Sequence, residues 1–285
     1  MKSIKTKTIR SEVSRLLLEA SFNLPQDIVE AIKNACKIET DSNAKKVLDC
    51  ILQNEKIAWN GKLPLCQDCG VVYINIGIGS DIYIEDSENI KHELNRAVAD
   101  VYRKNYLRNS IVNDPVFDRK NTGDNTPAII SIDFTSDAGI GVEVNLKGGG
   151  SENCSYLYML NPSASEDEIV GIVLDIVKKN VTRCCPPGVI GIGIGSTASK
   201  VTELARRAAF RNLKIRSSDS RYSSLEEKIL KAVNKTGIGP QGLGGSITAL
   251  ACNIEFAPCH MATLPLSVFM GCHSTRRASS KISPP

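Results

Sequence analysis

The run GVIGIGIGS, residues 188–196, sets the tightest limit on how this chain can fold. Apolar β-formers alternate with glycine at the period of a strand. Gly191, Gly193 and Gly195 leave one face without side chains, so another backbone or a ligand can approach that face closely. The alternation is not the G-x-G-x-x-G spacing of a dinucleotide cradle, and it reads as tight packing rather than phosphate binding.

Around this run, apolar segments of two periods interleave. Val13, Leu16, Leu17 and Ala20 share one helical face, and so do Ile28, Ala31, Ile32 and Ala35. A third helix is expected over about residues 43–54 and a long amphipathic one within 88–106. Strands are expected in VVYINIGIG (71–79), at 128–134 and at 140–146. Ser165 with Glu168, and Ser224 with Glu227, read as capping boxes opening two more helices. A helix from about Thr197 to Asn212 and two closing apolar runs, SITALACNIEF and HMATLPLSVFM, complete the pattern. The expected fold is mixed α/β: a helical portion over 1–60, a catalytic portion with a mixed, helix-flanked sheet over 61–275, and a flexible polar tail over 276–285. These are read as one domain of 285 residues.

Net charge is +4 and aromatic residues make up 5% of the chain, which argues against nucleic-acid and membrane partners. The N-terminus is too polar for a signal peptide, and no apolar run reaches membrane length, so the expected location is cytoplasmic. Ten cysteines in such a compartment suggest buried thiols and metal ligands rather than disulfides.

The stretch LPLCQDCG, residues 63–70, places Cys66 and Cys69 in a C-x-x-C spacing. A zinc ribbon needs a second such pair, which is absent from the sequence. A thioredoxin-like pair opens a helix, whereas a β run follows Cys69. Cys66, the pair Cys184 and Cys185, and Cys272 all border Gly or Pro turns, where ligands sit on loops held by a scaffold. Three thiolates would leave one iron of a four-iron cluster open to act as a Lewis acid. Asp68, two residues from Cys66, and His260, one of three histidines and set between two apolar runs, are the acid–base candidates. The glycines of KGGGSEN (147–153) read equally as a tight turn or as a nest of N–H groups for an anion.

Taken together, LCQDCG, NTGDNTP, KGGGSEN, CCPPG, GIGPQGLGG and PCHMATLP with the GC at 271–272 resemble, in order and over nearly the whole chain, the α subunit (N-terminal catalytic half) of class I iron–sulfur fumarases and the related L-tartrate dehydratases. The resemblance implies a hydro-lyase with a 4Fe–4S cluster held by Cys66, Cys185 and Cys272. It implies an Asp68–His260 catalytic pair, with Gln67, Arg108 and the N–H of Gly149 contacting a small dicarboxylate. It further implies a separate β subunit, in an α2β2 assembly, to supply the rest of the active site. The reaction implied is reversible hydration of fumarate to (S)-malate. GGGSEN and HMATLP are more similar to the fumarases, and tartrate dehydration is the alternative. The chain departs from the usual CQDTG at Cys69, and Cys154 stands where the family often has Met. From other classes, a metal or redox module built on Cys66 and Cys69, or a purely structural subunit, remain as alternatives.

Overall fold

The computed structural model describes residues 2–283. In chain order the strands are β1 (Lys2–Lys5), β2 (Val71–Gly79), β3 (Ile82–Glu85), β4 (Ile129–Thr135), β5 (Ile140–Lys147), β6 (Tyr156–Leu160), β7 (Gly188–Gly195), β8 (Ala249–Ala257), β9 (Leu264–Met270) and β10 (Arg276–Ile282). The α-helices are α1 (Thr6–Phe22), α2 (Gln26–Ile38), α3 (Ser42–Gly61), α4 (Ile90–Lys104), the single turn α5 (Gly149–Glu152), α6 (Glu166–Asn180), α7 (Ala198–Phe210) and α8 (Ser220–Asn234). The fold is mixed α/β, as expected. By its contacts the chain divides into two compact units. One comprises residues 1–25, 55–149 and 276–285, the other residues 26–54 and 150–275. The division falls inside α3. Among the described residues no helix is long and apolar enough to cross a membrane.

The first unit is built on a four-stranded sheet in the order β10-β5-β2-β4. β5 runs antiparallel to both β2 and β10, and β4 runs parallel to β2. The period of two in β2 is explicit: Val72, Ile74, Ile76 and Ile78 are buried, while Tyr73, Asn75 and Gly77 between them are half-buried. The buried face joins Val13, Leu16 and Leu17 of α1 and Leu94 and Val98 of α4 in one apolar cluster. Each such side chain taken fully out of water contributes about 1.5–3 kcal/mol before entropy is counted. Two strands here lie outside the expected pattern. The N-terminal portion opens with β1, which pairs parallel with β3. The polar tail instead forms β10, with Arg276 opposite Leu146 and Ile282 opposite Ile140; residues 284 and 285 of that tail lie outside the described residues.

The second unit carries a sheet in the order β6-β9-β7-β8. β7 lies inside it, parallel to β8 and antiparallel to β9, and every one of its residues is buried. Its two faces differ as the alternation requires. Ile190, Ile192 and Ile194 join the apolar cluster with Val173 and Val177 of α6 and Leu225, Ile229 and Val233 of α8. The glycine face receives α7: a methyl at Gly191 would lie 2.2 Å from the Ala205 carbonyl oxygen, and one at Gly193 2.2 Å from that of Val201. Ser165 caps α6 by accepting the Glu168 N–H, as its capping box predicts. The second box is misplaced. α8 begins at Ser220, and Asp219 is its cap, accepting the Arg221 N–H at 2.9 Å. Ser224 therefore lies inside the helix, because an Asp five residues earlier satisfies the first-turn donors. Glu39, 1% exposed, is held within this unit by the N–H groups of Thr40, Asp41, Ser246 and Ile247 and the Ser246 hydroxyl. Burial alone would raise its pKa, but the donors outweigh burial and hold it below the ordinary carboxylate value.

Candidate functional site

The expected site residues fall into two sets, one in each unit. Cys66, Gln67, Asp68, Arg108 and Gly149 belong to the first, and Cys185, His260 and Cys272 to the second.

In the first unit the LPLCQDCG loop leads straight into β2. Leu65 anchors it, donating its N–H to the Ser21 carbonyl at 3.0 Å. Cys66 is half-buried and Gln67 exposed, with the Cys66 thiol directed at Gln67 Oε1 at 3.4 Å. Asp68 is the best-fixed side chain of the set. Its Oδ1 accepts the Gly70 N–H at 3.0 Å and the Ser110 hydroxyl at 3.4 Å. Its Oδ2 accepts the Gly149 N–H at 2.7 Å. The N–H expected to meet a substrate carboxylate is thus donated to the protein's own carboxylate.

Cys69, which gave the loop its redox or zinc appearance, is 2% exposed and belongs to the apolar core. Its sulfur accepts the Arg108 N–H at 3.2 Å. Burial pushes its thiol pKa up, more than the Arg108 N–H and the positive charge of Arg276 pull it down. Such a thiol is a poor nucleophile and a poor metal ligand. Tyr102 braces the same turn, its hydroxyl lying 3.0 Å from the Cys69 carbonyl and 3.2 Å from that of Gly70. Arg276 is 1% exposed, and its Nε is buried without a hydrogen-bond partner among the described residues. The Arg108 side chain is exposed.

In the second unit, adjacent Cys184 and Cys185 have opposite fates. Cys184 is 1% exposed, in the apolar cluster, with its thiol on the Asn180 carbonyl at 3.4 Å. Cys185 is exposed and has a left-handed backbone (φ 50°) at the end of the preceding helical turn. Its carbonyl accepts the His273 N–H at 3.1 Å and lies 3.0 Å from His273 Nδ1. That places Cys185 beside the 271–273 segment that carries Cys272. Gly188 makes the approach possible, since a methyl there would lie 2.1 Å from the Gly271 carbonyl oxygen. Gln241 of GIGPQGLGG completes the brace, with its backbone N–H and its Nε2 each 2.8 Å from the Pro186 carbonyl. Motif reading missed Gln241 and His273, because each acts on backbone far away in sequence. His260 is exposed, and its Nδ1 accepts the Ala262 N–H at 3.1 Å. In a neutral ring that leaves the proton on Nε2.

No cysteine among the described residues is disulfide-bonded. Among the described residues no three His, Cys, Asp or Glu side chains form a ready-made metal group. The three cysteines expected as ligands stand at turns with exposed or half-buried thiols, whereas Cys69, Cys154, Cys184 and Cys252 are buried.

Comparison with known proteins bears on this arrangement. The sequence model of the fumarate hydratase (Fumerase) family matches residues 10–281. A protein of Methanocaldococcus jannaschii, provisionally named L(+)-tartrate dehydratase subunit alpha, is 38% identical over 277 residues, covering 96% of this chain and 97% of its own. The L(+)-tartrate dehydratase subunit alpha of Escherichia coli K12 is 29% identical over 265 residues, covering 91% of this chain and 86% of its own. The relatives' names favour tartrate where the motif likeness favoured fumarate. With the match running from α1 into β10, this chain belongs to the fumarate hydratase (Fumerase) family, a family of hydro-lyases.

Proposed function

We propose that this chain is the α subunit of an iron–sulfur hydro-lyase acting on a four-carbon dicarboxylate. The observation that carries the reading is the fixing of Asp68 by donors at both oxygens, in a chain that matches the family over residues 10–281. A carboxylate so oriented is suited to hold or pass a proton at a defined point. His260 presents Nε2 and would share that proton. The exposed Arg108 side chain would bind a substrate carboxylate, as a planar guanidinium does. Gln67 would contact the same substrate. Gly149 contributes by holding Asp68.

The donor chemistry fits a 4Fe–4S cluster: Cys66, Cys185 and Cys272 offer three soft thiolates at turns with exposed or half-buried side chains. When bound, a cluster with three protein ligands supplies Lewis acidity that makes a substrate hydroxyl a better leaving group. Asp68 and His260 then manage the proton on that oxygen, and the chain's other residues orient the substrate. A base on a separate β subunit would take the carbon-bound proton, in an α2β2 assembly; support for such a partner comes from the relatives' names as α subunits.

Two substrates are carried forward. The family description supports fumarate and (S)-malate, and the relatives' names support L-tartrate. The test is anaerobic assembly with the β subunit, followed by turnover of malate, fumarate and L-tartrate side by side. Turnover of none of them overturns the reading.

A further inference from the structure

The NTGDNTP stretch contributes to the family likeness, yet none of its residues has a part in the chemistry above. Asn125, within it, is 0% exposed and has a left-handed backbone at φ 61°, a conformation that Asn tolerates better than most residues. Its side-chain Oδ1 accepts the Ser110 N–H at 2.7 Å, and its Nδ2 donates to the Gly70 carbonyl at 3.0 Å. One partner is a donor and the other an acceptor, so a single orientation of the amide satisfies both. The same stretch grips the 107–110 segment twice more. Asn109 Nδ2 donates to the Gly123 carbonyl at 2.8 Å, and Asn121 Nδ2 to the Asn109 carbonyl at 3.0 Å.

The two segments that Asn125 joins are the ones that carry the proposed chemistry. Gly70 is two residues beyond Asp68, and its own N–H holds Asp68 Oδ1. Ser110 is two residues beyond Arg108, and its hydroxyl reaches the same oxygen at 3.4 Å. We propose that Asn125 is a positioning residue, whose buried amide fixes the spacing between Asp68 and the Arg108–Ser110 segment. A substrate gripped by Arg108 would then present its reacting carbon–oxygen bond to Asp68 at a set distance. This rests on the roles given above to Asp68 and Arg108.

The test compares Asn125→Asp and Asn125→Gly with wild type in the α–β holoenzyme. Asn125→Asp keeps volume and the acceptor for Ser110 but sets an oxygen against the Gly70 carbonyl. Asn125→Gly tolerates the backbone angle and removes both bonds. The expected result is a fall in kcat/KM of about 10²-fold, the scale on which small misplacements act. Most of it is expected in kcat for Asn125→Asp, whose Ser110 bond survives, and in both kcat and KM for Asn125→Gly. Amide hydrogen exchange at Ser110 should quicken in Asn125→Gly and stay near wild type in Asn125→Asp. A lower Tm with kinetic constants per folded site unchanged in both variants would reduce Asn125 to a structural role and overturn the proposal. Unchanged Ser110 exchange in Asn125→Gly would overturn it equally, even if turnover fell. If the wild-type holoenzyme turns over no dicarboxylate, the functional reading fails instead, and Ser110 exchange alone decides whether the tether exists.

Discussion

Gly149 donates its backbone N–H to Asp68 Oδ2 at 2.7 Å, across 81 residues of sequence. This bond joins the LPLCQDCG loop to the turn that begins α5. With the Gly70 N–H on the other oxygen, it leaves the carboxylate a single favoured orientation.

Asp68→Asn tests that orientation. An amide has one accepting oxygen, so it satisfies either Gly70 or Gly149 but not both. Turnover should fall by about 10²–10⁴-fold, the usual worth of a positioned acid or base. Stability should fall by only about 1–3 kcal/mol, the cost of one unsatisfied donor. Steady-state kinetics and thermal unfolding separate the two, and near wild-type turnover would remove Asp68 from the chemistry.

Cys69 should behave as a core residue. In the cluster-free chain at neutral pH, a thiol reagent should modify exposed Cys185 well before Cys69, which is 2% exposed and whose pKa is raised by burial. Cys69→Ala should cost about 1 kcal/mol or more through lost packing. Mass mapping of the modified peptides gives the order. Fast modification of Cys69, or a Cys66–Cys69 disulfide, would restore the redox reading.

The glycine face of β7 is a packing device with a direct test. Gly191→Ala puts a methyl 2.2 Å from the Ala205 carbonyl oxygen and 2.3 Å from the Ala209 nitrogen, both backbone atoms of α7. Overpacking should destabilise by about 1–3 kcal/mol or more, since no flexible side chain can move aside. Gly171→Ala, on α6 with nothing within 4 Å, is the control and should be neutral or slightly stabilising. Chemical denaturation reads both.

Glu39 links stability to pH. Its folded pKa lies below the ordinary value of 4.5, so the folded state binds this proton less readily than the unfolded chain. Its contribution is complete above that ordinary value and is lost as pH falls through the lower folded value. Glu39→Gln should lower stability at neutral pH by about 1–3 kcal/mol, by leaving N–H groups facing a weaker acceptor. It should also lessen the acid loss of stability relative to wild type. Urea melts across pH 3–7, a range set by ordinary carboxylate pKa values, would show the two curves converging in acid. Parallel curves would contradict the assignment.

Much of this architecture follows from local pattern, and the remainder depends on contacts that local pattern does not carry. The GVIGIGIGS run announces a tightly packed strand because alternating glycine strips one face of side chains, and the structure shows that the backbone of α7 fills it. Ser165 announces its helix because a cap acts within four residues. β10 is not legible in the sequence because RRASSKI holds few apolar residues, and its pairing partner, β5, lies far back in the chain. The start of α8 is ambiguous in the sequence because two competing caps, Asp219 and Ser224, stand five residues apart, and Asp219 also draws the Arg221 side chain. At the site, the motif cysteines were visible by type and place. Asn125, Gln241 and His273 were not, since each works on the backbone of a distant segment.

The central claim is that Cys66, Cys185 and Cys272 hold a cluster that serves water elimination from a four-carbon hydroxydicarboxylate. The most direct measurement is anaerobic turnover of (S)-malate and L-tartrate by the α–β assembly, wild type against Cys185→Ala, with iron and sulfide measured on the same samples. The account predicts turnover of one of these substrates by an iron- and sulfide-loaded wild type, and loss of both metal and turnover in Cys185→Ala. Full turnover by Cys185→Ala would contradict it.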